Sequence, residues 1–175
     1  MITYDFVTAS LESLDELEAE LIVLPFFSDE RPLRGASGLI DWRLCGALSR
    51  KLMAGYLDGH FGERALIAAP PKLRAEGLLL VGLGESASFD AGVAEDACAL
   101  IALAFRESKV ATAAMALPGR SLELVSAERA MQLWLAAEVD DDTLEEISVI
   151  ERAEEHRTLQ SLFDGLRRQA ESPLT

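Results

Sequence analysis

The sequence predicts an α/β protein, a three-layer α/β/α sandwich with a mixed, mostly parallel sheet in the middle. Two short runs, residues 21–24 (LIVL) and 78–81 (LLLV), are apolar at every position, which is typical of strands buried on both faces. Segments with helical periodicity alternate with such strands, and this alternation favours a sheet covered by helices on both sides. The chain has 175 residues, half of them hydrophobic, which is enough for one domain with a substantial core.

Six segments are predicted as strands. Apolar and polar residues alternate over residues 2–7, which predicts a half-buried strand. The fully apolar runs predict strands that are buried on both faces. We expect Pro25 to end the second strand and Pro70 to stop the third, because proline lacks an N–H group for the ladder. The predicted strands cover residues 2–7, 21–24, 64–69, 78–81, 109–117 and 147–150.

One long helix is predicted between the second and third strands. It is expected to begin near Ser37 or Gly38 and to end at Gly55, a residue type common after a helix C-terminus. Asp41 would lie in the first turn, where a carboxylate interacts favourably with the helix dipole. The apolar residues that recur every four positions predict its buried stripe, which consists of Ile40, Leu44, Leu48 and Leu52.

Four further helices are predicted from capping residues and periodicity. Ser10 or Ser13 can cap a short helix after the first strand, and Ser126 can cap a later one. An alanine-rich helix is expected over residues 90–106, packed closely against the sheet. The last helix, from about residue 153 to 168, is amphipathic, and its apolar stripe consists of Leu159, Leu162, Phe163 and Leu166.

The chain is acidic, with a formal net charge of −14. Proteins bind nucleic acid by neutralising phosphates with Lys and Arg, so we expect no nucleic-acid partner. The apolar runs are too short to cross a bilayer of roughly 30 Å, and the start of the chain lacks the features of a secretory leader. We therefore expect a cytoplasmic protein without membrane contact. Cys45 and Cys98, each in an apolar helical pattern, are expected to be buried and reduced.

The candidate chemical groups do not form a recognisable catalytic motif. Zinc sites need three or four ligands in a fixed arrangement, and the only histidines, His60 and His156, are far apart in the sequence. Cys45 has no neighbouring base that would activate it, and no G-x-S-x-G elbow is present. We therefore predict no metal ion, no cofactor and no catalytic residue.

Two loops are candidates for binding a small anion. The loop at 31–38 (RPLRGASG) precedes a helix N-terminus, where free N–H groups attract anions. The turn at 82–87 (GLGESA) fits a loose dinucleotide pattern, although Glu85 opposes a pyrophosphate and a tight turn is favoured. Both are expected at the carboxyl ends of adjacent strands, where α/β sheets bind ligands. The candidate ligand-binding residues are Arg34, Gly35, Ser37, Gly38, Gly82 and Gly84.

The same loop at 31–38 also has a purely structural interpretation. In that interpretation the glycines provide backbone freedom, and the arginines pair with the nearby acids Asp29, Glu30 and Asp41. The sequence by itself leaves both interpretations open.

Four segments are informative when taken together: residues 24–27 (LPFF), 32–35 (PLRG), 38–46 (GLIDWRLCG) and 78–84 (LLLVGLG). In this order they resemble the N-terminal domain of the leucyl aminopeptidase family of zinc exopeptidases. The resemblance implies a macrodomain-like fold, which often binds ADP-ribose, for residues 1–152. It implies that residues 153–175 correspond to the helix that leads to the peptidase domain, and that the domain contributes to assembly of a hexamer.

The catalytic residues of that family have no counterpart in this sequence. Its metal-binding run, Asn-Thr-Asp-Ala-Glu-Gly-Arg, and its catalytic lysine segment match no stretch, and we expect the chain to end before a catalytic domain. The chain also contains no asparagine, the residue that macrodomains processing ADP-ribose usually place against the distal ribose. Neither peptidase activity nor hydrolysis of ADP-ribose is therefore expected.

The sequence thus predicts a stand-alone, non-catalytic module that acts by self-association or through a partner protein, such as a peptidase subunit. Its predicted interface is the stripe Leu159, Leu162, Phe163 and Leu166 on the last helix. The alternative is binding of a small anionic ligand, a nucleotide or an ADP-ribose-like molecule, in a cleft between the loops at 31–38 and 82–87. A third hypothesis is an enzyme with an unrecognised carboxylate site.

Overall fold

A six-stranded sheet forms the middle layer of the computed structural model, which describes residues 2–137, 139 and 142–171. The strand order is β1-β6-β5-β2-β4-β3, and every neighbouring pair is parallel except the edge strand β3, which is antiparallel to β4. The strands are β1 (Thr3–Thr8), β2 (Leu21–Phe26), β3 (Arg64–Ala68), β4 (Gly77–Gly82), β5 (Thr112–Met115) and β6 (Glu146–Glu151).

Helices cover both faces of the sheet, which confirms the predicted three-layer sandwich. Alternate residues of β2 enter the two cores: Val23 packs in the core with α4 and α5, and Leu24 packs in the core with α2 and α3. Both are fully buried, as expected for a strand between two helical layers. The helices are α1 (Leu11–Glu16), α2 (Gly35–Arg43), α3 (Ala47–Met53), α4 (Ala91–Ser108), α5 (Ala127–Ala136) and α6 (Ala153–Glu171).

The prediction that Pro25 ends the second strand is wrong, because β2 continues to Phe26. The carbonyl oxygen of Val23 accepts a hydrogen bond of 3.1 Å from the N–H of Ala116, so Val23 faces β5. Pro25, two residues further, faces the same side, but pairing with β5 has already ended at Met115. The N–H that proline lacks is therefore not needed. The fifth strand is also shorter than predicted, because β5 begins at Thr112 and ends at Met115.

The long helix predicted from residue 37 to 55 is two helices, α2 and α3, separated by residues 44–46. Cys45 and Gly46 have left-handed backbone conformations, with φ of 54° and 78°, which a continuous helix cannot contain. The Asp41 carboxylate accepts the N–H groups of Leu48, at 2.8 Å, and Ser49, at 3.1 Å. Asp41 therefore caps the first turn of α3 instead of assisting the start of α2.

This break places Cys45 on the surface, so the prediction that it is buried is wrong. Cys98 is buried in α4 as expected, and its burial raises the pKa of its thiol to about 12. The predicted helix caps are confirmed at Ser10 and Ser126, whose side chains accept N–H groups of the first turn of α1 and α5.

The last helix, α6, lies against β1 and α5. Leu159 is fully buried, and the ring of Phe163 lies 5.0 Å from the ring of Tyr4 and 5.8 Å from that of Phe6. Three residues of the predicted interface stripe (Leu159, Leu162 and Phe163) therefore pack within this chain, and Leu166 is exposed.

Within the described ranges, no helix combines the length and the apolar character needed to cross a bilayer.

Candidate ligand-binding cleft

A cleft of about 250 Å³ opens at the carboxyl ends of β1, β6, β5 and β2. Pro25 of β2 and Ile150 of β6 form part of its floor, and the loop that follows β5 forms one wall. Parallel strands present their carboxyl ends at the same edge of a sheet, which is where open α/β sheets commonly bind ligands. The position of this cleft therefore makes it the first candidate for a functional site.

The N-terminus of α2 forms the opposite wall. Gly35 and Ala36 line the cleft, and Gly35 has a φ of +57°, which favours glycine. The first N–H groups of a helix have no acceptor within the helix, and in the described part of the chain the N–H groups of Gly35, Ala36 and Ser37 find none elsewhere. Together with the helix dipole, such free donors favour a negatively charged group.

Glu30 holds this wall in place. Its buried carboxylate accepts the N–H of Phe27 at 3.0 Å, the N–H of Arg34 at 2.9 Å and the hydroxyl of Ser121 at 3.0 Å. Burial raises the pKa of Glu30, and the hydrogen bonds to its charged form oppose this shift. The carboxylate therefore ties the entrance of α2 to the loop after β5, on both sides of the cleft.

A buried ion pair lies at the other end of the cleft. Arg120 Nε is 2.7 Å from Glu151 Oε2, and Arg120 Nη2 is 3.1 Å from Glu151 Oε1. The two side chains are only 8% and 5% exposed. Arg120 also donates to the carbonyl of Val125 at 2.7 Å, and the hydrogen bonds to Glu151 raise its pKa. This bidentate geometry fixes the loop after β5 against the end of β6.

The rim of the cleft carries a second, more exposed arginine. Arg152 is 45% exposed, and its guanidinium lies 2.7 Å from Glu123 and 3.3 Å from Glu155. Ion pairs of this exposure contribute little to stability, so the guanidinium can exchange a carboxylate for a ligand at small cost.

The predicted residues of the loop at 31–38 have different roles in the structure. Gly35 lines the cleft, as described above. Ser37 is buried and donates to the carbonyl of Pro25 at 3.4 Å, and a Cβ on Gly38 would overlap the carbonyl of Leu33. Arg34 is exposed and uses its backbone N–H to bind Glu30. One of the four residues therefore contacts the cleft.

The turn that contains Gly82 and Gly84 is covered by residues 58–62. A Cβ on Gly82 would overlap the carbonyl oxygen of His60, and the N–H of Gly84 donates to Gly59 at 2.9 Å. Gly82 therefore permits close backbone packing, and Gly84 is favoured by its φ of +77°. Neither glycine is among the residues that line the cleft.

Asp29 bridges the two loops that were predicted to form a cleft. Its carboxylate accepts the N–H of Ser86 at 2.9 Å and the hydroxyl of Ser86 at 2.5 Å. Asp29, Glu30 and Asp41 thus bind N–H and hydroxyl groups, and among the residues described here none forms a salt bridge with an arginine of the 31–38 loop. The structural interpretation is therefore wrong in expecting salt bridges here, although the charges of Arg31 and Arg34 still attract Asp29 and Glu30.

The sequence analysis missed Arg120, Ser121 and Glu151, which complete the cleft. A usable signal was present, because Glu151 directly follows the predicted strand 147–150 and Arg120 follows the strand 109–117 by three residues. Polar residues at the carboxyl ends of parallel strands are candidates for a site in any α/β sheet.

A second polar cluster lies in the loop before β3. Side-chain atoms of Asp58, His60 and Glu63 come within 4.8 Å of one another. The Nδ1 atom of His60 is 2.5 Å from Asp58, and Glu63 accepts the N–H of Gly59 at 2.7 Å. These contacts stabilise the exposed turn itself.

The sandwich and the position of its cleft define a macrodomain-like protein. A Trypanosoma brucei macrodomain in complex with ADP aligns with a TM-score of 0.70 and 14% identity, over 91% of this chain and 68% of that chain. A mutant tomato leucine aminopeptidase aligns with a TM-score of 0.58 and 17% identity, over 93% of this chain and 36% of that chain. At these identities the likeness establishes the fold, and it confirms the macrodomain-like prediction.

The chain belongs to the cytosol aminopeptidase family, whose N-terminal domain matches residues 23–144. A probable cytosol aminopeptidase from Thermosynechococcus vestitus is 34% identical over 92 residues, which are 53% of this chain and 18% of the relative. The chain spans about a fifth of the length of the curated relatives that it matches. The resemblance seen in the sequence is therefore confirmed.

Proposed function

We propose that this chain is a binding module whose cleft takes a small anionic ligand of the nucleotide class, such as ADP, and that it does not itself hydrolyse peptides. The observation that carries the proposal is the set of free N–H donors on Gly35 and Ala36 in the wall of the cleft. A phosphate group satisfies such donors and interacts favourably with the positive end of the helix dipole. The ADP bound by the T. brucei macrodomain supports the choice of ligand.

The charges of the cleft lining are balanced in spite of the acidic chain. The charged residues of its lining are two arginines, Arg120 and Arg152, and two glutamates, Glu123 and Glu151, paired with one another. The four charges of the lining thus balance, and Glu154 and Glu155, outside the lining, also lie within 4 Å of these arginines. A phosphate would meet the N–H donors of α2 and the exposed guanidinium of Arg152.

The pairing of charged residues in the cleft supports a role in binding instead of catalysis. Both glutamates of the lining are occupied by arginines, and the hydroxyl of Ser121 is held by Glu30. Among the described lining residues, none offers an unpaired carboxylate, an imidazole or a thiol that could act as a base or nucleophile. These contacts favour recognition of a ligand over its chemical conversion.

Titration calorimetry with ADP, ADP-ribose and inorganic phosphate tests the cleft. We expect saturable binding of the nucleotides, and we expect Arg152→Ala to weaken it by about tenfold, since a charge-assisted hydrogen bond contributes about 1.5–3 kcal/mol. Arg157→Ala is the matched control: it removes the same charge from the exposed face of α6, outside the cleft, and should leave the affinity unchanged. If none of the three ligands produces heat or a thermal shift, the cleft does not bind such anions.

Contact with another protein is the second candidate function, either self-association or binding of a partner such as a peptidase subunit. The observation that favours it is the exposure of the large apolar side chains Trp42, Met53 and Tyr56. Light scattering and a pull-down with the full chain as bait are the tests. We expect an assembly larger than the monomer or a specific partner; a strict monomer that retains no partner would contradict this candidate.

A further inference from the structure

One surface of the α2–α3 layer combines aromatic side chains with positive charge. We call it the basic aromatic face and define it by Trp42, Arg50, Lys51, Tyr56 and Lys72. Trp42 is 68% exposed, and Tyr56 is 78% exposed. Exposed aromatic residues are enriched at protein interfaces, where they provide a large contact area at low cost in conformational entropy.

The residues of this face lie close together in space, although Lys72 is distant from the others in sequence. Arg50 Nη1 donates to the carbonyl of Cys45 at 2.6 Å, and Lys72 Nζ lies 3.7 Å from the Cys45 thiol. Arg50, Lys51 and Tyr56 surround one shallow depression on α3. The exposed Cys45 therefore lies between two cations, beside Trp42.

The cations of this face lack acidic partners within the described chain. Arg50 and Lys72 make their contacts to a carbonyl and a thiol, and Lys51 makes no ion pair with a described residue. Asp41, the acid within the neighbouring groove, is occupied by the N–H groups that begin α3. An island of uncompensated positive charge in a chain of net charge −14 is complementary to a negatively charged partner.

An apolar groove adjoins the cations. It has a volume of about 570 Å³, and its walls include Leu33, Trp42, Cys45 and Lys72. A groove of this size accommodates one or two apolar side chains, and the lysine at its edge can meet a carboxylate beside them.

We infer that the basic aromatic face docks an acidic polypeptide segment that carries an aromatic or aliphatic anchor. The anchor enters the groove beside Trp42, and the carboxylates meet Arg50, Lys51 and Lys72. This inference rests on the second candidate function, contact with another protein, and assigns that contact a surface and a chemical class of partner. It is independent of ligand binding in the cleft.

The test uses fluorescence anisotropy of a short fluorescein-labelled peptide in which glutamates flank a central Leu-Phe pair. We expect saturable, salt-sensitive binding to the full chain, at least about tenfold weaker for the double variant Arg50→Glu/Lys51→Glu. The matched control, Arg129→Glu/Arg157→Glu, makes the same change in net charge on α5 and α6 and should bind as well as the wild type. Trp42→Ala should weaken binding without removing its salt dependence.

Three results of the peptide assay would overturn the inference. The first is absence of peptide binding, and the second is equal affinity of the double variant and the wild type for the peptide. The third is an affinity for polyglutamate or single-stranded DNA equal to that for the peptide, which would indicate general attraction of polyanions. The rate of Cys45 alkylation provides an independent measurement, because a docked peptide should slow the alkylation. If light scattering shows an assembly that the double variant retains, this surface assignment fails while protein contact as a function stands.

Discussion

Replacing Arg120 with alanine is expected to lower the free energy of unfolding by about 3–5 kcal/mol, the range measured when one partner of a buried ion pair is removed. The physical reason is the burial of Glu151, whose side chain is only 5% exposed. Without Arg120, its carboxylate would keep only the N–H of Arg152, at 2.9 Å, and the more distant guanidinium of Arg152, at 3.9 Å. The variant would also lose the hydrogen bond from Arg120 to the carbonyl of Val125. Urea denaturation followed by circular dichroism measures the change.

Two further variants separate the charge effect from the loss of side-chain volume. Arg152→Ala removes an arginine that is 45% exposed and should cost no more than about 1 kcal/mol. The double variant Arg120→Met/Glu151→Leu replaces both partners with apolar groups and should recover most of the stability. If Arg120→Ala is as mild as Arg152→Ala, the buried pair is not the element that holds the loop after β5.

The second large effect is expected for Glu30→Ala, which should lower the free energy of unfolding by on the order of 3 kcal/mol. The change leaves three donors without their acceptor: the N–H groups of Phe27 and Arg34 and the hydroxyl of Ser121. It also releases the entrance of α2 from the loop after β5, so nucleotide affinity should fall together with stability. Glu63→Ala is the control, because it removes a carboxylate that binds N–H groups of an exposed turn. It should lower the free energy of unfolding by less than Glu30→Ala.

Glu30 also produces a specific pH dependence. Its pKa is raised in the folded state, so the folded protein holds this proton more tightly than the unfolded chain. The stabilisation from this proton is fully present below the unfolded pKa and is lost as the pH rises through the folded pKa. As the pH rises from about 4, near the ordinary glutamate pKa, through the raised pKa of the folded state, the unfolding free energy of the wild type should therefore fall relative to that of Glu30→Gln. A difference that is constant over this range would show that burial does not govern Glu30.

Local patterns in the sequence were sufficient for the architecture. The fully apolar runs at 21–24 and 78–81 became β2 and β4, each buried between two helical layers. Ser10 and Ser126 acted as the caps that their positions indicated, because capping depends on residues within a few positions.

One error arose from a distant element, and another arose from a side chain that bonds seven residues further along the chain. Pro25 is tolerated within β2 because β5 ends beside it, and the length of β5 is not visible from residue 25. The apolar stripe at residues 40, 44, 48 and 52 suggested one helix, but periodicity does not reveal that the Asp41 side chain caps a second helix. Cys45 is exposed because of that break.

In the cleft, too, one part was predictable from local sequence and the other part was not. The loop at 31–38 was recognisable from the sequence, since glycines before a helix indicate free N–H groups. Its partners in the cleft, Arg120, Ser121 and Glu151, lie about ninety or more residues away, and only the strand order β6-β5-β2 brings them to Gly35.

The sequence by itself thus determined the fold class and the family, because burial patterns and caps are properties of short segments. Tertiary structure alone decided which loops face each other, which acids are occupied by N–H groups and which cations remain without partners. The physical reason is that a carboxylate such as Glu30 or a cation such as Lys72 takes its role from the groups around it, and those groups include Ser121 for Glu30 and Cys45 for Lys72, which are distant in the chain.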